Sequence, residues 1–309
     1  MTNSASVHVA HELLHQRGRK FKENMIRRGL WFAAACSVLT SFGILFILLR
    51  ESLPFLSEVG IREFFLGTSW APLMEPRSFG VLPLIAGTLL VTVVAALFVI
   101  PVGSLTAIYM SEYASPKRRR IVKPILEVLA GVPTVVYGYF AITVITPALR
   151  FVFPSIPVFN ALSAGIVVAI MVLPMVASLG DDAMRAVPKD LREAAFGLGA
   201  TPREVSLGVV YPGALSGILA SYVLAVSRAL GETMIVTMAA GATPRMTLNP
   251  LESIQTMTGY IVQVSLGDTP AGGVQYQTIF AVGLTLFMMT LAMNMFSFWI
   301  RGRYREAYA

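Results

Sequence analysis

The chain has 309 residues, of which 55% are hydrophobic and only 13% charged, and its mean hydropathy is +0.70. A soluble domain carries about 25% charged residues, so this composition places the chain in the membrane class and excludes an ordinary soluble domain. The net charge of +7 does not point to nucleic acid, because the basic residues cluster in short segments between apolar runs, and a single cysteine, Cys36, excludes an internal disulfide.

In chain order, residues 1–28 read as a polar, basic cytoplasmic tail. Within it His11-Glu12-Leu13-Leu14-His15 matches the His-Glu-x-x-His zinc-protease pattern, with His8 one turn earlier as a third ligand. Catalytic zinc needs an open position in a shaped, dry site. A short tail ahead of Arg17-Gly18-Arg19-Lys20 supplies no such cleft, so the stretch reads as a solvated amphipathic segment.

A first transmembrane helix follows at 29–50, its apolar core at 29–49. That run is long enough to span a bilayer, so it is not read as a cleavable signal. Ala34-Ala35-Cys36 falls too early in the run for a lipidation site. Residues 51–80 form a periplasmic segment. A five-helix core then occupies 81–300, with spans near 81–110, 124–149, 160–180, 213–240 and 276–300, and 301–309 is a second cytoplasmic tail. The expected fold is an all-α membrane protein with six transmembrane helices. Gly87, Gly103, Gly131, Gly138 and Gly165 offer close helix approach.

Orientation follows from Lys and Arg in the connecting segments. One side has six before residue 29, five just after the second span, four in the loop 181–212 and three in the C-terminal tail. The other side has Arg50, Arg62, Arg77, Arg150 and Arg245. Both termini are therefore expected in the cytoplasm. Glu127, inside the third span, lies one turn from Lys123 and reads as its snorkelling partner.

The loop 181–212 contains Glu193-Ala194-Ala195, three residues, Gly199, nine residues, then Val209-Val210-Tyr211-Pro212. Locally it predicts two short helices. Pro188 suits a first helical position with Asp190 in the first turn. Leu191, Ala194, Ala195 and Leu198 form one apolar face. Gly199 can end the helix in a left-handed conformation, and Thr201-Pro202-Arg203-Glu204 reads as a capping box. The spacing, between two apolar spans, resembles the cytoplasmic coupling loop of ABC-importer permeases. That resemblance makes Glu193, Ala194, Ala195, Gly199 and Pro212 the candidate ATPase-coupling residues.

The fifth span holds Arg228 and Glu232. A charged residue at mid-membrane costs about 2.5–3.5 kcal/mol on insertion scales, so it needs a structural or functional reason. Four residues apart, the two are expected on one helix face. They could form a structural ion pair. Alternatively, Arg228 could present its planar fork to a translocated oxyanion, with Glu232 moderating it and Ser227 and Thr233 adding neutral hydrogen bonds. No Gly-x-x-x-x-Gly-Lys-Ser/Thr loop is present, so the chain is expected to bind no cofactor of its own and to draw energy from a partner or an ion gradient.

Several further stretches resemble the C-type permease family of phosphate ABC importers: Trp70-Ala71-Pro72, Phe79-Gly80-Val81-Leu82-Pro83, Ser111-Glu112-Tyr113-Ala114, Leu129 to Gly138, and above all Ser227-Arg228-Ala229-Leu230-Gly231-Glu232-Thr233-Met234. The resemblance implies a MetI-like permease fold and phosphate import across a bacterial inner membrane, with sulfate or molybdate as the alternative oxyanions. It also implies a homologous A-type permease as heterodimer partner, two ATPase subunits that carry ATP and magnesium, and a periplasmic phosphate-binding protein. The chain itself would be a transport subunit, not an enzyme.

Overall fold

The computed structural model describes residues 3–267, 269–270 and 272–303, with side chains from residue 22 onward except at 300, 301 and 303. The side chains of the His11–His15 stretch lie outside the described residues. Two compact units are present, one up to Arg50 and one from Glu51 onward.

The first unit is the helix α1 (Asn3–Val59), which runs on past Arg50 into the second unit. Its apolar part, Lys22–Val59, is expected to end near 49 but continues a further ten residues, with Pro54 inside the helix. Leu30, Trp31, Phe32, Leu39, Phe42 and Phe46 are all more than half exposed. A helix that turns large apolar side chains outward on every side suits lipid or another membrane helix.

In the second unit, α2 (Ile61–Leu66) and a two-stranded antiparallel pair, β1 (Trp70–Ala71) with β2 (Ser78–Phe79), fill the segment before the second span. Their aromatics form a buried cluster: Phe55 packs edge-on to Phe64 and to Phe79 at 5.5 Å each, and Trp70 to Tyr260 at 4.9 Å.

The centre of the unit is α3 (Leu82–Ile108), continued by a π-helical turn Tyr109–Tyr113, packed on α7 (Ala161–Arg185). Missing side chains make this contact close. A Cβ on Gly103 would come within 2.6 Å of Val176, one on Gly180 within 2.8 Å of Ala107, and one on Gly165 would overlap Val94. Gly138 likewise faces Met238 and Gly87 faces the Gln255 carbonyl. Gly131 is the exception among the glycines expected to mediate close approach: nothing lies within 4 Å of its Cβ position.

Two of the expected spans are broken. The third comprises α4 (Pro116–Gly131), then α5 (Thr134–Phe140), a π-helical turn and α6 (Thr146–Arg150), with a 93° bend between its halves. Val132 is extended ahead of Pro133, the conformation that a following proline enforces. The fifth begins with α9 (Pro202–Val205), a π-helical turn and α10 (Tyr211–Gly213), and bends 70° into α11 (Leu215–Leu230). It breaks again at Gly231–Thr233 before α12 (Met234–Ala239). Between them lies α8 (Lys189–Gly197); α13 (Met257–Leu266) and α14 (Val274–Arg303) close the chain. Among the described residues four helices are long and apolar enough to cross a membrane, or up to six spans if each bent pair counts as one.

Candidate functional site: a coupling helix and a cationic cavity

α7 extends to Arg185, so Asp181 and Asp182 belong to its last turns rather than to the expected loop. Asp181 is fully buried, paired with Arg119 of α4 and, at 3.2 Å, with Arg185. Asp182 pairs with Lys123 at 3.8 Å. Lys123 therefore does not pair with Glu127, which has no ion-pair partner among the described residues. α4 and α7 pack against each other, which brings Lys123 to Asp182 across the helix interface.

α8 matches the expected helix with one offset: Pro188 is its N-cap, not its first helical residue. Its end forms a Schellman motif. Gly199 has φ +86°, its N–H donates to the Phe196 carbonyl, and the Ala200 N–H donates to the Ala195 carbonyl at 3.1 Å. The capping box follows: the Thr201 N–H donates to Glu204 Oε2 at 2.8 Å and the Glu204 N–H to Thr201 Oγ1 at 3.4 Å.

No residue of α8 is buried. Glu193, Ala194, Leu191 and Phe196 are exposed, and Leu198 just beyond the helix is 91% exposed. Ala195 departs from the expected outward face. It lies on the edge nearest Arg192 and packs on the chain's own apolar cluster of Ala107, Met184, Val187, Val205 and Ile218. Arg192 is the polar anchor. Its Nη2 donates to the Met184 carbonyl at 2.6 Å and lies 3.3 Å from Glu112 Oε1, at the end of α3. Pro212 is exposed in α10, beside Tyr211, whose hydroxyl meets that of Tyr222 at 3.1 Å; Tyr222 in turn meets Ser104 of α3. The sequence singled out Ser111–Ala114 only as a resemblance, and the role of Glu112 came from no local pattern, because its partner lies eighty residues away.

In the fifth span the expected Arg228–Glu232 face does not form. The helix ends at Leu230, and Glu232 is buried beyond it. Its Oε1 accepts from the N–H groups of Met234 and Ile235 at 3.1 and 3.3 Å, and its carbonyl accepts from the Thr258 hydroxyl. The carboxylate thus satisfies the start of α12, the orphan donors of a helix N-terminus, instead of Arg228. Ser227 donates to Asn294 Oδ1 at 3.3 Å, and Thr233 to the Gly231 carbonyl at 3.2 Å. Arg228 is exposed, has no hydrogen bond or ion pair among the described residues, and lines a cavity of about 490 Å³ with Lys123, Glu127, Met171 and Ser178. Among the described residues no cluster of His, Cys, Asp and Glu could hold a metal ion.

Comparison with known proteins places these two features in one frame. Residues 99–305 match the family model of the binding-protein-dependent transport system inner membrane component. The chain is 32% identical over 296 residues to a probable ABC transporter permease of Bacillus subtilis, YqgH, covering 94% of each chain. It is 34% identical over 278 residues to the phosphate transport system permease PstC of Mesorhizobium japonicum, covering 84% of each. Its fold is similar to that of the MetNI methionine ABC transporter in inward-facing conformations, with a TM-score of 0.55 at 19% identity, over 74% of this chain and 95% of that one. With helices long and apolar enough to cross a membrane, a short exposed helix between the fourth and fifth spans, and a family match across two thirds of its length, this chain belongs to the binding-protein-dependent transport system inner membrane components, the permease subunits of ABC transporters.

Proposed function

We propose that the chain is one half of the channel of an ATP-driven importer of inorganic phosphate. It pairs with a homologous A-type permease, with both termini in the cytoplasm. The observation that carries this reading is Arg228 of the fifth span, unpaired among the described residues, in a cavity otherwise lined by α4 and α7, while the nearby Glu232 is committed to backbone N–H groups. An uncompensated guanidinium at membrane depth is costly unless it meets an anion, and its planar fork matches phosphate oxygens. Ser227 and Thr233 do not line that cavity: Ser227 turns to Asn294 and Thr233 to the Gly231 carbonyl, so their part in the path rests on their places beside Arg228 and Glu232 in the sequence. The identity to a permease named for phosphate transport supports the choice of anion.

The outward side of α8, with Glu193, Ala194 and the adjoining Leu198, is the surface for one of the two ATPase subunits, which hold the ATP and magnesium. Pro188 and Gly199 fix its ends, Ala195 packs on the permease's own apolar cluster, and Pro212 opens the turn into α11. A periplasmic phosphate-binding protein delivers the substrate.

The test is radiolabelled phosphate uptake in starved cells with excess sulfate. The intact chain supports sulfate-resistant uptake. Arg228→Gln lowers uptake about 10- to 100-fold, the worth of one or two charge-assisted hydrogen bonds. Uptake that sulfate abolishes overturns the choice of phosphate. An Arg228→Gln chain working at the intact rate removes Arg228 from the path.

A further inference from the structure

A second cavity, of about 530 Å³, lies beside the one that holds Arg228, and the two share Lys123 and Glu127. The second is basic: Arg119, Arg120 and Arg185 line it with Lys123. Both volumes fall within the roughly 300–1,000 Å³ of ligand pockets.

The cations are not equivalent. Arg119 and Arg185 are committed to the buried Asp181. Lys123 is held only loosely, 3.8 Å from a half-exposed Asp182, and Arg120 is exposed with no ion pair among the described residues. Arg120, Lys123, Glu127 and Ala130 recur at three- or four-residue intervals, so they form one stripe of α4, about 15 Å long at 1.5 Å per residue. Snorkelling at the cytoplasmic edge accounts for Arg120 alone. It does not account for a stripe that continues inward, lines both cavities and ends beside Arg228.

We infer that this stripe is the inner half of the anion's route. Lys123 receives the phosphate oxyanion from Arg228 and passes it to a cytoplasmic mouth at Arg120. Glu127, unpaired beside Lys123, opposes tight capture, so the anion leaves rather than lodges. The inference rests on the phosphate reading above and adds the residues that conduct the anion out. A lipid phosphate headgroup has the same chemistry as the transported ion, and the experiment separates the two sources.

The whole transporter is reconstituted in vesicles with and without phosphatidylglycerol, and phosphate uptake is measured alongside ATP hydrolysis. Lys123→Gln is expected to slow uptake about tenfold, the low end of what one cation in a focusing cleft contributes. Lys123→Arg retains at least half of the rate, and Asp182→Asn, which only frees Lys123, retains it all. Each of these results should be the same in both lipids. The inference is overturned if Lys123→Gln transports at the intact rate or if Asp182→Asn loses as much. It is equally overturned if the defect disappears without phosphatidylglycerol, which would make a lipid the occupant. Failure of the unsubstituted transporter to move phosphate would instead overturn the phosphate reading, and the inference with it.

Discussion

Arg192 is the polar fixed point of the coupling helix, beside the apolar seat of Ala195. α8 buries none of its side chains, so hydrophobic burial contributes little to its position. What fixes it is the Arg192 fork, shared between the Met184 carbonyl and the Glu112 carboxylate, both parts well shielded from solvent at 19% and 13% exposure for the Arg192 and Glu112 side chains. A helix that must transmit a push from an ATPase needs such a fixed point, since a helix seated only by surface contact would slide. Arg192→Ala is therefore expected to leave the assembly intact but to lower the phosphate moved per ATP hydrolysed by about fivefold to tenfold, the worth of one hydrogen-bonded charge. Glu112→Gln, which leaves the Arg192–Met184 bond in place, should cost part of that loss. The double variant should lose no more than Arg192→Ala alone, because removing the arginine already breaks the Glu112 contact. Additive losses, measured as transport per ATP in vesicles, would show that the two residues act separately.

At the scale of elements, close packing of α3 on α7 depends on glycines whose Cβ positions are already occupied by Val176, Val94 and Ala107. Gly103→Val or Gly165→Val should destabilise the protein by about 1–3 kcal/mol, the usual cost of overpacking. Gly131→Ala, with open space around it, should be neutral or slightly stabilising. Thermal unfolding in detergent distinguishes them, and equal losses at Gly131 and Gly103 would refute the packing argument.

The same elements show what the sequence makes legible. The coupling helix could be read almost residue by residue because its determinants are local: a Schellman glycine, a capping box and a proline within fifteen residues. The long apolar helices were equally plain from composition. The bends were not. Pro133 caps the start of a new helix while Pro101 and Pro174 sit inside continuous ones, so a proline in an apolar run does not by itself mark where the chain bends. Glu232 misled for a related reason. A carboxylate four residues after an arginine suggests a helical pair, but the helix stops between them at Gly231, and the carboxylate turns to the N–H groups of the next one.

Across the whole molecule, the ends of α3, α4 and α7 nearest α8 are joined to one another and to α8 by ion pairs and by the Arg192–Met184 hydrogen bond, and these joints connect α8 to the cavity at Arg228. Asp181 is the centre of that linkage, fully buried with an arginine from α4 on one side and one from its own helix on the other. If the four ends move as one body, closure of the ATPases against α8 shifts α4, and with it Lys123 and Glu127, relative to α11. Neutralising Asp181 leaves two arginines without their counter-charge. Because Arg119 is four-fifths buried, the loss should be large, on the order of 3 kcal/mol. Asp181→Asn is therefore expected to lower the unfolding temperature and to let ATP hydrolysis continue with little phosphate uptake, since α8 would still dock while α4 no longer follows it. Asp182→Asn, one residue on, removes only a half-exposed pair and should change neither quantity measurably. Parallel measurement of unfolding, hydrolysis and uptake on the two variants decides the matter. A stable, fully coupled Asp181→Asn transporter would mean that α4 and α7 are held together by apolar packing alone, and that the thrust of α8 reaches the cavity by another element.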